Sequence, residues 1–398
     1  MTVLRGKTIV LGVTGSIAAF KAAELASVLM QSGAAVNVIM TEAAQKFISQ
    51  VTMRAITHRP VAADMWETPA NFEIEHISLA EAADALLIAP ATANIIAKLA
   101  NGIADDSLSA TALATTAPIV IAPAMNDNMY AHPATQENIS RLKARGVTFV
   151  DPGYGRLASG KIGHGRLAGL GEITGILSAV LGRGGDFNGW KIVVTAGGTR
   201  ERVDPVRYLG NRSSGKMGFA TAEAARDRGA EVVLISAADR PAPAGMEVVY
   251  TETASQMQQA VTEAVKGADA LIMAAAVADY QANEVAEQKI KKKGETLRLE
   301  LKRTPDILDG ARGHFLRVGF AAESEELVTN AWCKLTEKGL DLIVANDITE
   351  PGAGFGVDTN RVTIIGRDGK ADASPLLTKR EVADRVLDAV VKIGRPGR

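Results

Sequence analysis

The chain has 398 residues, of which 44 are Lys or Arg and 45 are Asp or Glu, so its formal net charge is −1. This balance argues against a nucleic-acid or membrane-surface partner, because both favour a basic excess. The single cysteine, Cys333, excludes an intramolecular disulfide. The apolar run Ile9 to Val13 is too short for a signal peptide or a membrane span. We therefore expect a cytoplasmic protein of two or three domains.

The first half of the chain alternates short apolar segments with segments of helical periodicity. Strands are predicted over 7–13, 35–40, 85–89, 118–121 and 147–150, and helices over 18–30, 42–56, 92–99, 133–143 and 172–181. Continuous apolar strands that alternate with helices predict a parallel sheet covered on both faces. The glycine-rich stretch 151–171 is predicted to lack regular structure, and 182–189 is predicted to be a linker.

At residue 190 the same alternation starts again. Strands are predicted over 192–196, 231–236, 270–275, 297–301, 317–320, 341–345 and 361–365, and helices over 217–228, 254–265 and 379–392. The sequence therefore predicts two α/β domains, 1–189 and 190–398, whose loops carry different chemistry.

Three loops of the first domain follow predicted strands and carry small or polar residues. The turn 12–16 (Gly-Val-Thr-Gly-Ser) leads into a helix N-terminus, where free N–H groups and the helix dipole favour a phosphate. Taken alone, it could equally be an ordinary strand–helix turn. The loop 90–94 lies at the same carboxyl edge, where open α/β sheets bind ligands, although Thr92 could simply be a helix N-cap.

A histidine and an asparagine are the candidate reactive pair of this domain. His76 offers a proton-transfer group near neutral pH, and Asn126, in the loop 122–129, can bind a carboxylate without adding charge. A lone histidine at such a position is more often a helix-start or surface residue. The functional interpretation of His76 therefore depends on its occurring together with the other loops.

On these residues, the segment 6–175 resembles the flavin-dependent cysteine decarboxylases, a flavodoxin-like family. The matching motifs are Gly-Ser-Ile-Ala at 15–18, His76, Pro-Ala-Thr-Ala-Asn at 90–94, the run 94–105 and Pro-Ala-Met-Asn-Asp-Asn-Met at 123–129. In that family FMN oxidises the substrate thiol, the carboxylate leaves as carbon dioxide, and the reduced flavin returns the hydride. The resemblance implies that His76 assists these steps and that Asn126 binds the cysteine carboxylate. The positions it implies for FMN binding are Gly15, Ser16, Ile17, Thr41, Thr92 and Asn94.

One position departs from the family. The loop 157–167 matches the family's substrate flap, but Ser159 stands where the best-known members have the proton-donating cysteine. A thiol, with a pKa near 8.5, is a far better proton donor than a serine hydroxyl. Ser159 acting through a water, Lys161 and His164 all remain open as the donor. An alternative is a monofunctional ligase that carries a degenerate flavin-binding domain.

The second domain has an anion-binding pattern at a predicted helix start. The segment 211–218 (Asn-Arg-Ser-Ser-Gly-Lys-Met-Gly) offers close backbone approach at its glycines and positive charge at Arg212 and Lys216. A capped helix with a solvated basic edge would show the same pattern. Asp279 follows a buried strand and could hold a metal, contact a ribose or cap a turn, while Lys289 opens a lysine-rich run suited to phosphates.

The segment 190–395 resembles phosphopantothenate–cysteine ligase in its bacterial, CTP-using form, which implies a Rossmann-like ligase domain. The motifs are the segment 211–218, Ala-Ala-Ala-Val-Ala-Asp-Tyr at 274–280 and Lys-Ile-Lys-Lys at 289–292; Arg202 stands where proline is common. The resemblance assigns Asn211 to the acyl-cytidylate intermediate, Lys289 to the activated carboxylate, and Mg²⁺ to the phosphates, with Asp279 as a possible metal ligand. The positions it implies for CTP binding are Ala275, Asp279, Lys289, Pro305, Asp306, Ile307, Leu308, Phe320, Lys334 and Lys338.

In this order on one chain, the two halves look like the bifunctional decarboxylase/ligase family of coenzyme A synthesis. The resemblance implies three small-molecule substrates besides CTP: 4′-phosphopantothenate, cysteine and 4′-phosphopantothenoylcysteine. It also implies decarboxylase trimers joined by ligase dimers into a dodecamer. A dinucleotide oxidoreductase is disfavoured, because neither domain has GxGxxG followed by a ribose-binding acid.

Overall fold

A computed structural model describes residues 3–66, 75–292, 295–323, 325–354 and 356–395. The chain divides into two compact units, Thr2–Gly182 and Arg183–Arg398. Among the helices of the described ranges, none is both long and apolar enough to cross a bilayer.

The first unit consists of short strands and helices that alternate along the chain. Its strands are β1 (Thr8–Val13), β2 (Ala35–Met40), β3 (Val61–Ala62), β4 (Ala85–Ala91), β5 (Ile119–Pro123), β6 (Thr148–Phe149), β7 (Gly153–Arg156) and β8 (Ile162–Arg166). Its helices are α1 (Lys21–Gln31), α2 (Gln50–Thr57), α3 (Glu75–Ala82), α4 (Ala93–Asn101), α5 (Ser107–Ala114), α6 (Asp127–Ala131), α7 (Pro133–Ala144) and α8 (Leu170–Leu181), with 3-10 helices at Ile17–Phe20 and Ala44–Lys46.

The second unit has more strands and fewer helices. Its strands are β9 (Lys191–Ala196), β10 (Arg200–Arg202), β11 (Tyr208–Gly210), β12 (Glu231–Ser236), β13 (Glu247–Tyr250), β14 (Ala270–Met273), β15 (Tyr280–Ala282), β16 (Leu301–Arg303), β17 (Leu316–Glu323), β18 (Leu342–Asp347), β19 (Thr359–Asn360), β20 (Thr363–Gly366), β21 (Ala371–Ala373) and β22 (Leu377–Thr378). Its helices are α9 (Lys216–Asp227), α10 (Ala254–Ala264), α11 (Ile307–Gly310), α12 (Leu327–Lys338) and α13 (Lys379–Ile393).

Both units are doubly wound α/β folds, so the predicted fold class is confirmed. The first sheet is parallel throughout, in the order β3-β2-β1-β4-β5-β6. Without the two-residue β3, its strands follow the flavodoxin-like order 2-1-3-4-5. The second sheet, β13-β12-β9-β14-β17-β18-β20-β21, has six parallel strands in the Rossmann order 3-2-1-4-5-6 and an antiparallel pair at one edge.

Alternate residues of each central strand fill the apolar layers on the two faces of its sheet. In β1, Ile9 and Leu11 pack against α1 and α8 on one face, while Val10 joins the cluster of α4 on the other. In β9, Val194 belongs to the apolar cluster on one face of the sheet and Val193 to the cluster on the other face. Because both faces are covered, the strands read as continuous apolar runs, which is the pattern that predicted them.

Several predicted elements differ from the structure. The helix predicted over 42–56 is interrupted, because Ser49 caps a new helix, α2, by accepting a hydrogen bond from the backbone N–H of Thr52. The helix α5 was not predicted, since its small, almost fully buried side chains give no amphipathic period. The stretch 151–171 contains the β7–β8 hairpin, and the strand predicted over 297–301 begins only at Leu301.

The segment predicted to be a linker packs into the second unit. Phe187 is fully buried, with its ring centroid 5.1 Å from that of Trp190 in an edge-on contact. The guanidinium of Arg228 lies 5.0 Å from the same ring, and the backbone N–H of Phe187 donates to the Arg228 carbonyl. This aromatic contact attaches residues 183–189 to the second core.

We therefore expect Phe187→Ala to destabilise the second unit by about 3 to 5 kcal/mol, because it removes a large side chain from a closed core. Urea unfolding followed by tryptophan fluorescence measures this change. Phe47→Ala, at a position in the first unit that is 47% exposed, is the control and should change the free energy of unfolding far less. Equal effects of the two substitutions would contradict the assignment of 183–189 to the second core.

Candidate functional site

A buried threonine joins two loops at the carboxyl edge of the first sheet. The Thr14 hydroxyl donates to the Pro90 carbonyl at 2.7 Å and accepts from the Thr92 backbone N–H at 3.0 Å. Thr92 in turn caps α4 by accepting from the Ile95 N–H. The sequence drew attention to Thr92 but not to Thr14, whose importance depends on β1 and β4 being neighbours.

The loops that follow β1 and β2 also meet at this edge. A Cβ added to Gly15 would lie only 2.4 Å from the Ala43 Cβ, so only glycine permits this approach. Ser16 caps the 3-10 helix Ile17–Phe20, and Thr41 accepts from the Ala44 N–H at 3.2 Å. The loop after β1 therefore touches the loop after β2 and is joined through Thr14 to the loop after β4. These three loops carry Gly15, Ser16, Thr41 and Thr92.

This edge fits a phosphate better than it fits a free cation. Ser16, Thr41 and Thr92 carry hydroxyl groups, Ser16 and Thr92 cap the N-terminal ends of helices, and none of the six predicted FMN positions bears a charge. Asn94 is exposed in the first turn of α4, and the Ile17 side chain is 60% exposed beside them. The edge thus offers both hydrogen-bond donors and an uncovered apolar surface.

Asn126 lies where the loop after β5 meets the hairpin. Its side chain accepts from the Asn128 N–H at 3.0 Å and so caps α6. The neighbouring Met125 N–H donates to the Gly165 carbonyl at 2.9 Å, and a Cβ on Gly165 would lie 2.2 Å from the Met125 oxygen. Glycine at 165 therefore lets β8 lie directly against the loop that carries Asn126.

The candidate proton donors lie along this hairpin. Ser159 and Lys161 are exposed at its tip, and the His164 ring contacts that of Tyr154 in a tilted arrangement with ring centroids 5.0 Å apart. Among the described residues, no hydrogen bond joins Ser159 to Asn126. The hairpin thus places the three candidates on one element without distinguishing among them.

His76 lies on a different element from these groups. It is the second residue of α3, which packs against α5, and it is half-buried. Residues 67–74, which precede it, lie outside the described ranges. Within those ranges, no hydrogen bond or ion pair joins His76 to Asn126 or Ser159.

The second unit has a large cleft at the carboxyl edge of its sheet, with a volume of about 780 Å³. Ten of the residues predicted from the sequence line it, namely Asn211, Ala275, Asp279, Pro305, Asp306, Ile307, Leu308, Phe320, Lys334 and Lys338. The anion pattern predicted around α9 also belongs to its wall, through Arg212, Ser213 and Lys216. The structure therefore brings these predicted positions together around one cleft.

Two threonine hydroxyls shape the floor of this cleft. Thr195 accepts from the Ala275 N–H at 3.1 Å, and Thr199 accepts from the Ala278 N–H at 2.9 Å. These bonds join the end of β9 and the loop after it to the loop after β14, much as Thr14 joins the loop after β1 to β4. Asn211 is held in the same region because its side-chain amide donates to the Val277 carbonyl at 2.8 Å.

Positive charge dominates the cleft wall. The basic residues that line it are Arg212, Lys216, Arg303, Lys334, Lys338 and Lys379, against the acids Asp279 and Asp306. The Lys338 ammonium lies 3.0 Å from Asp306, and Lys334 lies 2.6 Å from Glu323. Burial alone would raise the pKa of Asp306, but the Asp309 N–H and Lys338 outweigh it and lower that pKa. Such a wall suits a highly charged anion.

Lys289 is the predicted residue that the structure does not place in the cleft wall. It is exposed, in a segment anchored by the bond from the Ile290 N–H to Asp204 at 3.2 Å. Conversely, Arg303 and Lys379 line the cleft although the sequence did not single them out. Lys379 opens α13 behind a capping box and so looked like an ordinary helix start.

A metal would have few protein ligands in this cleft. Within the described parts of the chain, no group of three or more His, Cys, Asp or Glu side chains converges. Asp279 lines the cleft as predicted, but it stands without two further acids around it. Mg²⁺ usually binds through one or two carboxylates together with substrate phosphates, and the residues present fit that mode.

Known families match both units. The family model named Flavoprotein matches residues 2–182, and that of the DNA/pantothenate metabolism flavoprotein C-terminal domain matches residues 187–393. The coenzyme A biosynthesis bifunctional protein CoaBC of Bacillus subtilis (strain 168) is 44% identical over 399 residues, and the alignment covers 98% of each chain. The chain belongs to the CoaBC family.

A second relative agrees with this membership, and a solved structure is similar to part of the chain. CoaBC of Vibrio cholerae serotype O1 is 41% identical over 397 residues, which covers 98% of this chain and 99% of that protein. The crystal structure of the C-terminal domain of a CoaBC protein is 39% identical, covers 52% of this chain and 97% of that one, and has a TM-score of 0.45. The predicted bifunctional enzyme of coenzyme A biosynthesis is confirmed over the monofunctional alternative: the flavoprotein unit is a decarboxylase and the C-terminal unit a ligase.

Asp204 anchors the segment that carries Lys289, and it makes that anchor sensitive to pH. Its buried carboxylate accepts from the backbone N–H groups of Val206, Arg207 and Ile290. Burial alone would raise the pKa of Asp204, but these donors stabilise the carboxylate and hold the pKa below its ordinary value. The carboxylate therefore stabilises the fold above the unfolded-state pKa of about 3.9, and this is lost as the pH falls through the lower folded-state value.

We expect Asp204→Asn to lower the stability of the second unit at pH 7 and to flatten its loss of stability at acid pH. Urea midpoints measured between pH 7 and pH 3 give both quantities, with Asp239→Asn, at an exposed position, as the control. A variant with the same acid profile as the native chain would show that Asp204 does not titrate as described.

Proposed function

We propose that the ligase unit couples 4′-phosphopantothenate to cysteine with CTP, and that the flavoprotein unit decarboxylates the resulting 4′-phosphopantothenoylcysteine with FMN to 4′-phosphopantetheine. The observation that carries this proposal is the convergence of ten predicted positions on one basic cleft in a chain of the CoaBC family. The chemistry of a biosynthetic enzyme of soluble metabolites makes the cytoplasm its proposed location.

In the ligase step the cleft has to gather several negative charges. A carboxylate is a poor electrophile until it is activated as a mixed anhydride, here an acyl-cytidylate formed as pyrophosphate leaves. Lys334, Lys338 and the first turn of α9 line the wall that would offset the charge of CTP. The amide of Asn211, fixed on the Val277 carbonyl, is assigned to the acyl-cytidylate.

Two further roles belong to the same step. Asp279 and the CTP phosphates would hold Mg²⁺, which offsets the charge of the transferring group. Lys289 is assigned to the activated carboxylate; because its segment is exposed beyond the Asp204 anchor, it would reach the cleft by movement of that segment. The amine of cysteine then attacks the acyl group, and CMP leaves.

In the decarboxylase step FMN would supply oxidation of the substrate thiol and later return the hydride. Gly15, Ser16 and Thr92 are assigned to its phosphate, with Thr41, Asn94 and the exposed Ile17 around it. Asn126 would bind the cysteine carboxylate, and its position under the hairpin supports a substrate enclosed by β7 and β8. His76 is assigned to proton transfer.

Ser159 is assigned to the last proton transfer, directly or through a water. Its position at the exposed tip of the hairpin would let it reach a substrate held at Asn126 when the hairpin closes. His164 is held against Tyr154, which makes it the less mobile candidate.

An oligomer would explain two surfaces of the single chain. Ile17, Phe20 and Leu113 are each at least 60% exposed on the first unit, which supports contact between neighbouring copies in a trimer. On the second unit, Val206, Tyr208 and Leu297 are each more than half exposed beside the short hairpins, which supports a ligase dimer. Trimers joined by dimers would form a dodecamer.

The two steps can be separated by one substitution in each unit. Asn211→Ala should abolish CMP release and formation of the cysteine adduct, while the same protein still decarboxylates added 4′-phosphopantothenoylcysteine. Asn126→Ala should do the reverse, because it removes the carboxylate-binding amide but leaves the ligase cleft intact. Loss of both steps in either well-folded variant would contradict the assignment of one step to each unit. Replacing CTP by ATP should slow only the ligase step.

A further inference from the structure

A buried ammonium group lies in the wall of the ligase cleft with no role assigned above. Lys379, the first residue of α13, is only 7% exposed, although lysine is rarely buried. Its Nζ donates to the carbonyl oxygens of Val357 at 2.6 Å and Gly354 at 3.4 Å. Its backbone N–H donates to the Asp358 carbonyl at 2.9 Å. One residue therefore ties a whole segment of the cleft wall to α13.

That segment, which we name the glycine-rich segment (residues 353–354 and 356–358), also contacts α9. The Lys216 ammonium donates to the Gly356 carbonyl at 3.0 Å and to an Asp358 carboxylate oxygen at 2.6 Å. Lys216 lines the cleft in the first turn of α9. The orientation of its charge is thus set by a segment whose glycines alone would leave it flexible.

The surrounding charges are unbalanced. Three cations, Lys216, Arg240 and Lys379, act on the carboxylate of Asp358, and Arg240 also acts on that of Glu223. Burial, and then the charge of Lys216, lower the pKa of Lys379, while Asp358 acts in the opposite direction. Arg240 lies 5.0 Å from the Phe219 ring, and within the described residues its buried Nε has no hydrogen-bond partner. Such an excess of positive charge is unfavourable in the free protein and is relieved when an anion arrives.

We propose that Lys379 is a positioning residue for the ligase step: by anchoring the glycine-rich segment, it holds Lys216 in the orientation that receives the anionic nucleotide. This inference rests on the proposed function, because the nucleotide is taken to be CTP. Lys379 itself remains bonded to the backbone and acts on the nucleotide through Lys216. Its loss should therefore weaken CTP binding more than it slows the chemistry.

The test compares Lys379→Met with Lys392→Met, which removes an exposed lysine of the same helix. We expect Lys379→Met to raise the KM for CTP, and the calorimetric Kd for CTP alone, by about tenfold, the effect of one charged hydrogen bond. The kcat and the KM for 4′-phosphopantothenate should change less than threefold, and Lys392→Met should match the native chain. A loss confined to kcat, or unchanged CTP binding, would overturn the proposal.

A double-mutant cycle tests whether the effect passes through Lys216. If it does, Lys379→Met should add little to the rise in KM already caused by Lys216→Met, whereas additive effects would mean that Lys379 acts independently. Asp358→Asn removes a carboxylate whose side chain is 88% exposed, so it should fold even if Lys379→Met does not. It should raise the KM for CTP about two- to fivefold, as expected for an exposed ion pair. An unchanged KM would overturn the proposal that the glycine-rich segment positions Lys216.

Failure of this inference and failure of the proposed function would give different results. If the native chain forms no cysteine adduct with CTP, the proposed function fails. If the native chain is active but the variants bind CTP normally, only the positioning role fails. The urea midpoint of each variant is the folding control for the second unit, and decarboxylation of added 4′-phosphopantothenoylcysteine is the control for the first unit.

Discussion

A buried threonine hydroxyl that joins two loops across the switch point of a parallel sheet is the interaction on which both sites depend. Thr14 does this between β1 and β4, and Thr195 and Thr199 do it between β9 and β14. At such a point the strand order reverses and the loops on either side diverge, which opens a crevice. The hydroxyls satisfy backbone groups that the diverging strands leave unpaired, so the crevice is open but its floor is fixed.

The carboxyl edges of the two sheets carry different functional groups. The first edge offers hydroxyl groups, helix N-terminal ends and the amide of Asn126, which bind anions without adding charge. The second edge adds many cations, among them Lys334 and Lys338. A decarboxylase binds a carboxylate that then leaves as carbon dioxide, whereas the ligase reaction proposed here gathers several negative charges at once. The difference in charge follows the difference in reaction.

The sequence predicted the fold well where burial on two faces produces continuous apolar strands, as in β1 and β9. It failed where the local signal is weak. The helix α5 consists mostly of small buried residues, and the glycine-rich 151–171 stretch gave no sign that Gly155 and Gly163 face each other in a hairpin. Phe187 looked like part of a linker because only the folded core shows what its ring contacts.

The site was predictable where several residues form a motif on one loop, and not where a contact joins distant segments. The residues around Asn211 and Asp279 stand in long motifs, and they meet in one cleft. Thr14 and Lys379 have no such signal, because their partners lie 76 and 22 residues away along the chain. Lys289 belongs to a motif but lies outside the cleft wall, since its segment is anchored at Asp204 instead.

The most direct test of this account is a mass-spectrometric time course of the native, flavin-loaded protein with 4′-phosphopantothenate, cysteine, CTP and Mg²⁺. The account predicts a transient cysteine adduct that accompanies CMP release, followed by accumulation of 4′-phosphopantetheine. Absence of any cysteine adduct would contradict the central claim of two consecutive reactions on one chain. A reaction that ends at a decarboxylated product lacking two hydrogens would leave the ligase intact and contradict the assignment of Ser159.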